Sequence, residues 1–221
     1  MALRVGVLHT VPALAPAFDR MLLDGPHKLE IIHVADASLL ARAIAHGITD
    51  DVRDDLRRHL HAFHDSGADY VLVTCSSIGE AAVEAARSGH VAVTRVDAAM
   101  AAEAVSRARA GNGSIVVLAT LTATLGPTTR LVEACADAAG ENVTVTATVV
   151  DGAAAARAEG DNERHDELIR QAVAAAPHAE VIVLAQASMA DAVGAGAIGT
   201  DARIVSSPTS GARAFLAGLP R

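Results

Sequence analysis

Two residues with different chemistry end the same short pattern in this chain. Ala68-Asp69-Tyr70-Val71-Leu72-Val73-Thr74-Cys75-Ser76-Ser77 aligns without a gap with Ala179-Glu180-Val181-Ile182-Val183-Leu184-Ala185-Gln186-Ala187-Ser188, an offset of 111 residues from 75 to 186. Each copy reads as an acidic residue, an apolar strand, a polar turn and a helix start. A thiol at such a turn faces helix N–H groups and the positive end of the helix dipole, which favour thiolate and lower its pKa from about 8.5. Cys75 is thus a candidate acid/base or nucleophile, with a small buried cysteine beside a capping serine as the plainer alternative. Gln186 can donate to a carboxylate or an oxyanion but cannot act as a base near neutrality. It could equally be a buried amide that satisfies loop backbone. If the two halves pack face to face, thiol and amide confront each other across a cleft.

The elements that position these turns alternate between strand and helix. Strands are expected over 3–8, 29–34, 70–74 and 91–94, then over 114–119, 143–149, 181–184 and 203–205. Helices are expected between them, over 13–22, 38–46, 50–66, from 76 to about 87, 98–110, 124–139, 162–176 and 188–195. A last helix over 208–219 opens on a proline in its first turn. Strand 114–119 repeats strand 3–8 at the same 111-residue offset, so the chain reads as a duplication. The fold class is α/β: two pseudo-symmetric domains, each a roughly four-stranded parallel sheet flanked by helices. The first domain takes residues 1–97 plus 206–221 and carries Cys75; the second takes 98–205 and carries Gln186.

Parallel sheets bind ligands outside the carboxyl ends of their strands. The residues expected there are His9 and Thr10, Cys75 with Ser76 and Ser77, Thr120 to Thr124, and Gln186 with Ser188. His9 could carry a proton, since histidine titrates near neutrality, or could serve as a cap or surface residue. Thr120, Thr122 and Thr124 could fix a carboxylate or cap a helix. Cys135, mid-helix among Ala and Val, reads as packing, and Asp97 as a helix cap.

Composition narrows the function. The net charge of −8 argues against nucleic acid. Lys28 is the only lysine, which leaves no Schiff-base or phosphate-loop lysine. At 51% hydrophobic but 2% aromatic, the core is built from Val, Leu, Ile and Ala. No apolar run is long enough to span a membrane, and no secretory signal is present, so a cytoplasmic location with free thiols is expected. His59, His61 and His64 lack partners at a zinc-site spacing and read as a solvated helix face, so no metal is expected. Gly194-Ala195-Gly196-Ala197-Ile198-Gly199 matches a dinucleotide fingerprint but follows a helix, so it is rejected.

The pattern resembles the aspartate/glutamate/hydantoin racemase superfamily over essentially the whole chain. Val73-Thr74-Cys75-Ser76-Ser77 looks like its first catalytic cysteine turn, and Leu184-Ala185-Gln186-Ala187-Ser188-Met189 like its second, with Gln186 where the second cysteine belongs. Leu118-Ala119-Thr120, with Thr124 beyond, is similar to the family's threonine-containing substrate turn, and His9-Thr10 stands at its polar first-strand position. The resemblance implies cofactor-free proton transfer beside the carboxyl group of a small amino-acid-like or carboxylate substrate, with the site between the domains. Two thiols flank the carbon in that family. With Gln186 in place of one, either another carrier, for which His9 is the nearest by topology, or one-sided chemistry follows: a decarboxylase or a cis–trans isomerase. A carboxylate-binding protein that has lost catalysis is the remaining alternative. Thr10, Ser76, Ser77, Thr120, Thr124, Gln186 and Ser188 are the expected substrate contacts, and a homodimer is implied.

Overall fold

A computed structural model describes residues 2–87, 89–176, 179–194, 200 and 202–220. The chain forms two compact units, Met1–Val96 with Pro208–Arg221, and Asp97–Ser207. The first contains β1 (Leu3–His9), α1 (Ala15–Leu23, after a 3-10 turn at Pro12–Leu14), β2 (Leu29–Ala35), α2 (Ala37–His46), α3 (Asp50–Asp65), β3 (Tyr70–Val73), α4 (Ser76–Ala86) and β4 (Ala92–Arg95). The second contains α5 (Ala98–Arg109), β5 (Ser114–Ala119), α6 (Thr122–Ala139), β6 (Thr144–Val149), α7 (Ala153–Ala158), α8 (Asn162–Ala174), β7 (Val181–Leu184), α9 (Ala190–Val193, after a 3-10 turn at Ala187–Met189) and β8 (Arg203–Ser206). The last helix, α10 (Ser207–Ala217), returns to the first unit.

Each unit holds one four-stranded, all-parallel sheet, ordered β2-β1-β3-β4 and β6-β5-β7-β8. The two orders are the same, as a duplication requires. In each, the chain leaves the first strand toward one edge and later returns to its other side. Strands β1 and β3, and likewise β5 and β7, therefore flank a topological switch point, where a crevice opens at the carboxyl ends.

Sequence explains why the sheets are covered. Val52, Leu56, Leu60 and Phe63 recur at helical spacing along α3, and all four are buried while charged residues fill the opposite face. They join Leu8, Val71, Val73 and Ile78 on one side of the first sheet. On the other side Val5, Val7 and Leu72 pack with Phe18 and Leu22 of α1 and with Ala212, Phe215 and Leu216 of α10. Two glycines set these distances. A Cβ on Gly6 would stand 2.5 Å from the Phe63 ring, and one on Gly211 would stand 2.2 Å from the Val96 carbonyl oxygen.

Three elements differ from the sequence reading. Helix α6 begins at Thr122, so Thr122 and Thr124 lie inside its first turn. Helix α7 was not expected; its Ala-rich run is six residues long, too short to show a period, and Gly152 starts it with φ +77°. The helix expected over 188–195 is a 3-10 turn followed by a single α turn, and its expected end lies outside the described residues, as does most of the 194–199 glycine motif.

Candidate functional site

In the first unit, β1 and β3 end side by side, and Thr74 N–H donates to Leu8 O at 3.0 Å. Chain alternation then sends His9 and Thr74 to one face and Thr10 and Cys75 to the other. Cys75 caps α4 in extended conformation (φ −118°, ψ 115°) and is half-buried, packed against the α3–α4 core. The hydroxyls of Thr10 and Ser77 and the amides of Ser77 and Ile78 face its sulfur and favour the thiolate. The neutral thiol makes no formal capping bond. Thr10, Ser76 and Ser77 are all buried, and the Thr10 oxygen has no hydrogen-bond partner of full geometry among the described residues.

One expectation is corrected here. Burial outweighs these donors and pushes the Cys75 thiol up rather than down. The resting group is therefore a protonated thiol. The donors around it are arranged for the anion it leaves behind, which is how a proton donor is set up.

His9 is also not the open proton carrier that its position suggests. It is fully buried. Its Nδ1 lies 2.9 Å from Thr74 Oγ1 and its Nε2 lies 2.9 Å from His33 Nδ1. Burial, with a smaller contribution from His33, holds its pKa down at about 4. The low pKa keeps the ring neutral near pH 7, and with both nitrogens engaged it serves the strand ends.

In the second unit Gln186 occupies the matching place, extended (φ −123°, ψ 139°) before a 3-10 turn. Its side chain is committed to β5. Thr120 N–H donates to Gln186 Oε1 at 2.6 Å, and Gln186 Nε2 donates to Thr120 Oγ1 at 2.8 Å. The amide ties together the two strand ends at this switch point. Thr124 is buried in α6, and Ser188 is half-buried in the 3-10 turn.

The remaining candidates resolve plainly. Asp97 stands at the N-cap of α5, fully buried, but its side chain makes no capping bond. Cys135 packs against the second unit's core. His59 bonds Asp36 at 2.9 Å and His64 bonds Asp69 at 2.7 Å, so this stretch is paired rather than simply solvated. Among the described residues no cluster of His, Cys, Asp or Glu could hold a metal ion, and no helix is long and apolar enough to cross a membrane. Sequence reasoning missed His165, which is fully buried in α8. Its Nδ1 is held by Asp166 at 2.8 Å, and its Nε2 has no partner among the described residues. The signal available was spacing: His165, Ile169 and Val173 form one stripe, with the histidine at an apolar position.

No family model matches the chain, and none of the curated proteins matches it. Solved structures do. A Yersinia pestis protein assigned as an Asp/Glu racemase aligns at TM-score 0.73 and 15% identity, over 98% of both chains. A glutamate racemase of Bacillus anthracis aligns at 0.72 and 15%, over 97% of this chain and 80% of its own. A cysteine variant of arylmalonate decarboxylase aligns at 0.53 and 18%, over 99% of this chain and 95% of its own.

Proposed function

We infer from a fold shared with solved Asp/Glu and glutamate racemases that the chain belongs to the Asp/Glu racemase superfamily. We propose that the chain is a cofactor-independent enzyme of this superfamily that moves a proton at the carbon beside the carboxyl group of a small amino-acid-like or carboxylate substrate. The observation that supports this most is the Cys75 thiol at a switch point, faced by the hydroxyls of Thr10 and Ser77 and by the Ser77 and Ile78 amides. In the donating direction the S–H bond breaks, its proton goes to the substrate carbanion, and the thiolate electron pair accepts hydrogen bonds from those four donors. In the reverse direction the thiolate takes the proton from the carbon. The buried first turn of α4, with Ser76 and Ser77, offers N–H and hydroxyl groups to the carboxylate. Thr120, Thr124, Gln186 and Ser188 are the second unit's proposed substrate residues. A homodimer in the cytoplasm is part of the same proposal.

A one-sided reaction is favoured as a second reading, by a specific observation. Gln186 has no group that gives up or takes a proton near neutrality and is bonded at both ends of its amide to Thr120. Proton delivery from one face by Cys75 alone, to the carbanion left when carbon dioxide departs, gives a decarboxylase; addition of the Cys75 thiolate to a C=C bond, rotation about the new single bond and expulsion of the thiolate gives a cis–trans isomerase.

Proton NMR in heavy water, with amino acids, hydantoins, malonates and maleates, tests both. Exchange at an alpha carbon with racemic product, lost in Cys75→Ala, supports racemisation. Loss of carboxylate with a single enantiomer of product, or a geometric change, supports the one-sided reading. Tight binding without any exchange overturns both and leaves a carboxylate-binding protein.

A further inference from the structure

Behind the Cys75 turn, a row of polar side chains crosses the first sheet on its α1 face. Thr74 on β3 meets His9 on β1, His9 meets His33 on β2, and His33 Nε2 reaches Asp19 Oδ1 on α1 at 3.2 Å. The two imidazoles stack with centroids 5.2 Å apart. The inner members are fully or nearly fully buried, whereas the side chains of His33 and Asp19 are 24% and 43% exposed, so the row ends in solvent.

The inner end has an ambiguity that the outer end must resolve. Thr74 Oγ1 lies 2.9 Å from His9 Nδ1 and 3.2 Å from the carbonyl oxygen of Leu8. A hydroxyl has one proton, and a carbonyl can only accept. Suppose His33 is neutral. Its Nε2–H donates to the Asp19 carboxylate, and its Nδ1 accepts from His9 Nε2–H. His9 Nδ1 then accepts from Thr74, and Leu8 loses the hydroxyl. Suppose instead that Thr74 donates to Leu8. His9 must then donate from Nδ1 into the Thr74 oxygen and accept at Nε2. His33 must donate from both nitrogens, so it is an imidazolium. The two arrangements differ by one proton taken from solvent and by the tautomer of a His9 that stays neutral.

We propose that Asp19 and His33 are positioning residues for the Cys75 thiol, acting through His9 and Thr74 by a hydrogen-bond row whose direction reverses when His33 gains a proton. His9 and Thr74 immediately precede Thr10 and Cys75 on the two strands. Whatever fixes the first pair on one face therefore fixes how hydroxyl and sulfur meet on the other. The low pKa of His9 agrees with a ring that is neutral in both arrangements. The titratable groups on His33 are Asp19 and His9. Arg4 and Glu30 pair with each other, Asp36 pairs with His59, and Arg20 of α1 is exposed. The proposal deepens the reading of Cys75 as the reactive group and is tested without substrate.

Imidazole nitrogen NMR of the full chain between pH 8 and pH 5.5 should show His9 as the Nε2–H tautomer at the high end. It should become Nδ1–H as His33 titrates. Asp19→Ala, at a half-exposed site, removes the anion that favours the charged ring. It should move the pH at which the His9 tautomer changes. The rate of Cys75 alkylation by iodoacetamide should bend at the same pH, move with Asp19→Ala, and lose that bend in His33→Phe. A single His9 tautomer throughout the His33 titration overturns the proposal, as does an alkylation profile indifferent to both variants. Failure of the substrate panel with these results intact would sink the enzymatic reading alone.

Discussion

The two halves share strand order, register and cap geometry, yet they finish their equivalent turns in opposite ways. Before α4, Cys75 stands at the head of an 11-residue helix whose first turn is buried. Before α9, Gln186 stands at the head of a three-residue 3-10 turn and a four-residue helix. A long helix lends its N-terminus a partial positive charge; one short turn lends little. The thiol side is thus built to tolerate a negative charge, and the amide side is built to hold two strand ends together. In unit 1, that tying is done by His9 with Thr74; in unit 2, by Gln186 with Thr120. In the second unit the residue at the reactive position has itself become the tie.

The comparison can be broken most sharply at the thiol. Cys75→Ala should lower alpha-carbon exchange by about 10³-fold, within the range for loss of a positioned acid/base, while the unfolding midpoint stays within a few degrees. Unchanged turnover would remove the asymmetry on which the comparison rests.

Next in size is the acid dependence of the first unit's tie. The folded-state pKa of His9 is about 4, below the ordinary 6.5. Between these values the unfolded chain binds more protons, so this contribution is present above pH 6.5 and is lost as pH falls toward 4. Urea unfolding at pH 7.5 and pH 4.5 should differ by about 2–3 kcal/mol through this group, and the difference should shrink in His9→Gln. Equal slopes in the two proteins would remove His9 from the account.

The smallest effect belongs to the second unit's tie. Gln186→Ala leaves the Thr120 N–H without its acceptor and should cost about 1–2 kcal/mol of stability. Gln186→Cys should give a thiol that alkylates more slowly than the Cys75 thiolate at high pH, since the helix behind it is short. If the introduced thiol proves as reactive as Cys75, helix length does not distinguish the turns.

Much of this was legible in the chain. Strands β5 and β7 fall where the pattern puts them, and the repeated strand–turn–helix segment foretells two sheets of one order; the offset of 111 residues holds for β3 and β7 but is 110 for β1 and β5, since Val5 pairs with Tyr70 where Ile115 pairs with Val181. The placement of Cys75 at a strand-to-helix turn was readable from Val73 to Ser77 alone. Its protonation state was not. Local sequence shows the helix N-terminus that lowers a thiol pKa, but not the atoms from α3, α4 and β1 that pack around it and partly desolvate it. His9 was legible as a polar strand end, whereas its partner His33, 24 residues away, comes from a neighbouring strand, and the Asp19 that holds His33 comes from a covering helix.

Sequence by itself determined the period and the turns: which segments are strands, where the chain repeats, and that a thiol and an amide occupy equivalent positions. Those are short-range properties of side-chain size, polarity and backbone preference. Only the tertiary structure decided that the thiol rests protonated, that Gln186 is bound to Thr120, and that His9 is sealed between Thr74 and His33. Desolvation and hydrogen-bond pairing depend on which distant atoms arrive within a few ångströms, and strand pairing sets that.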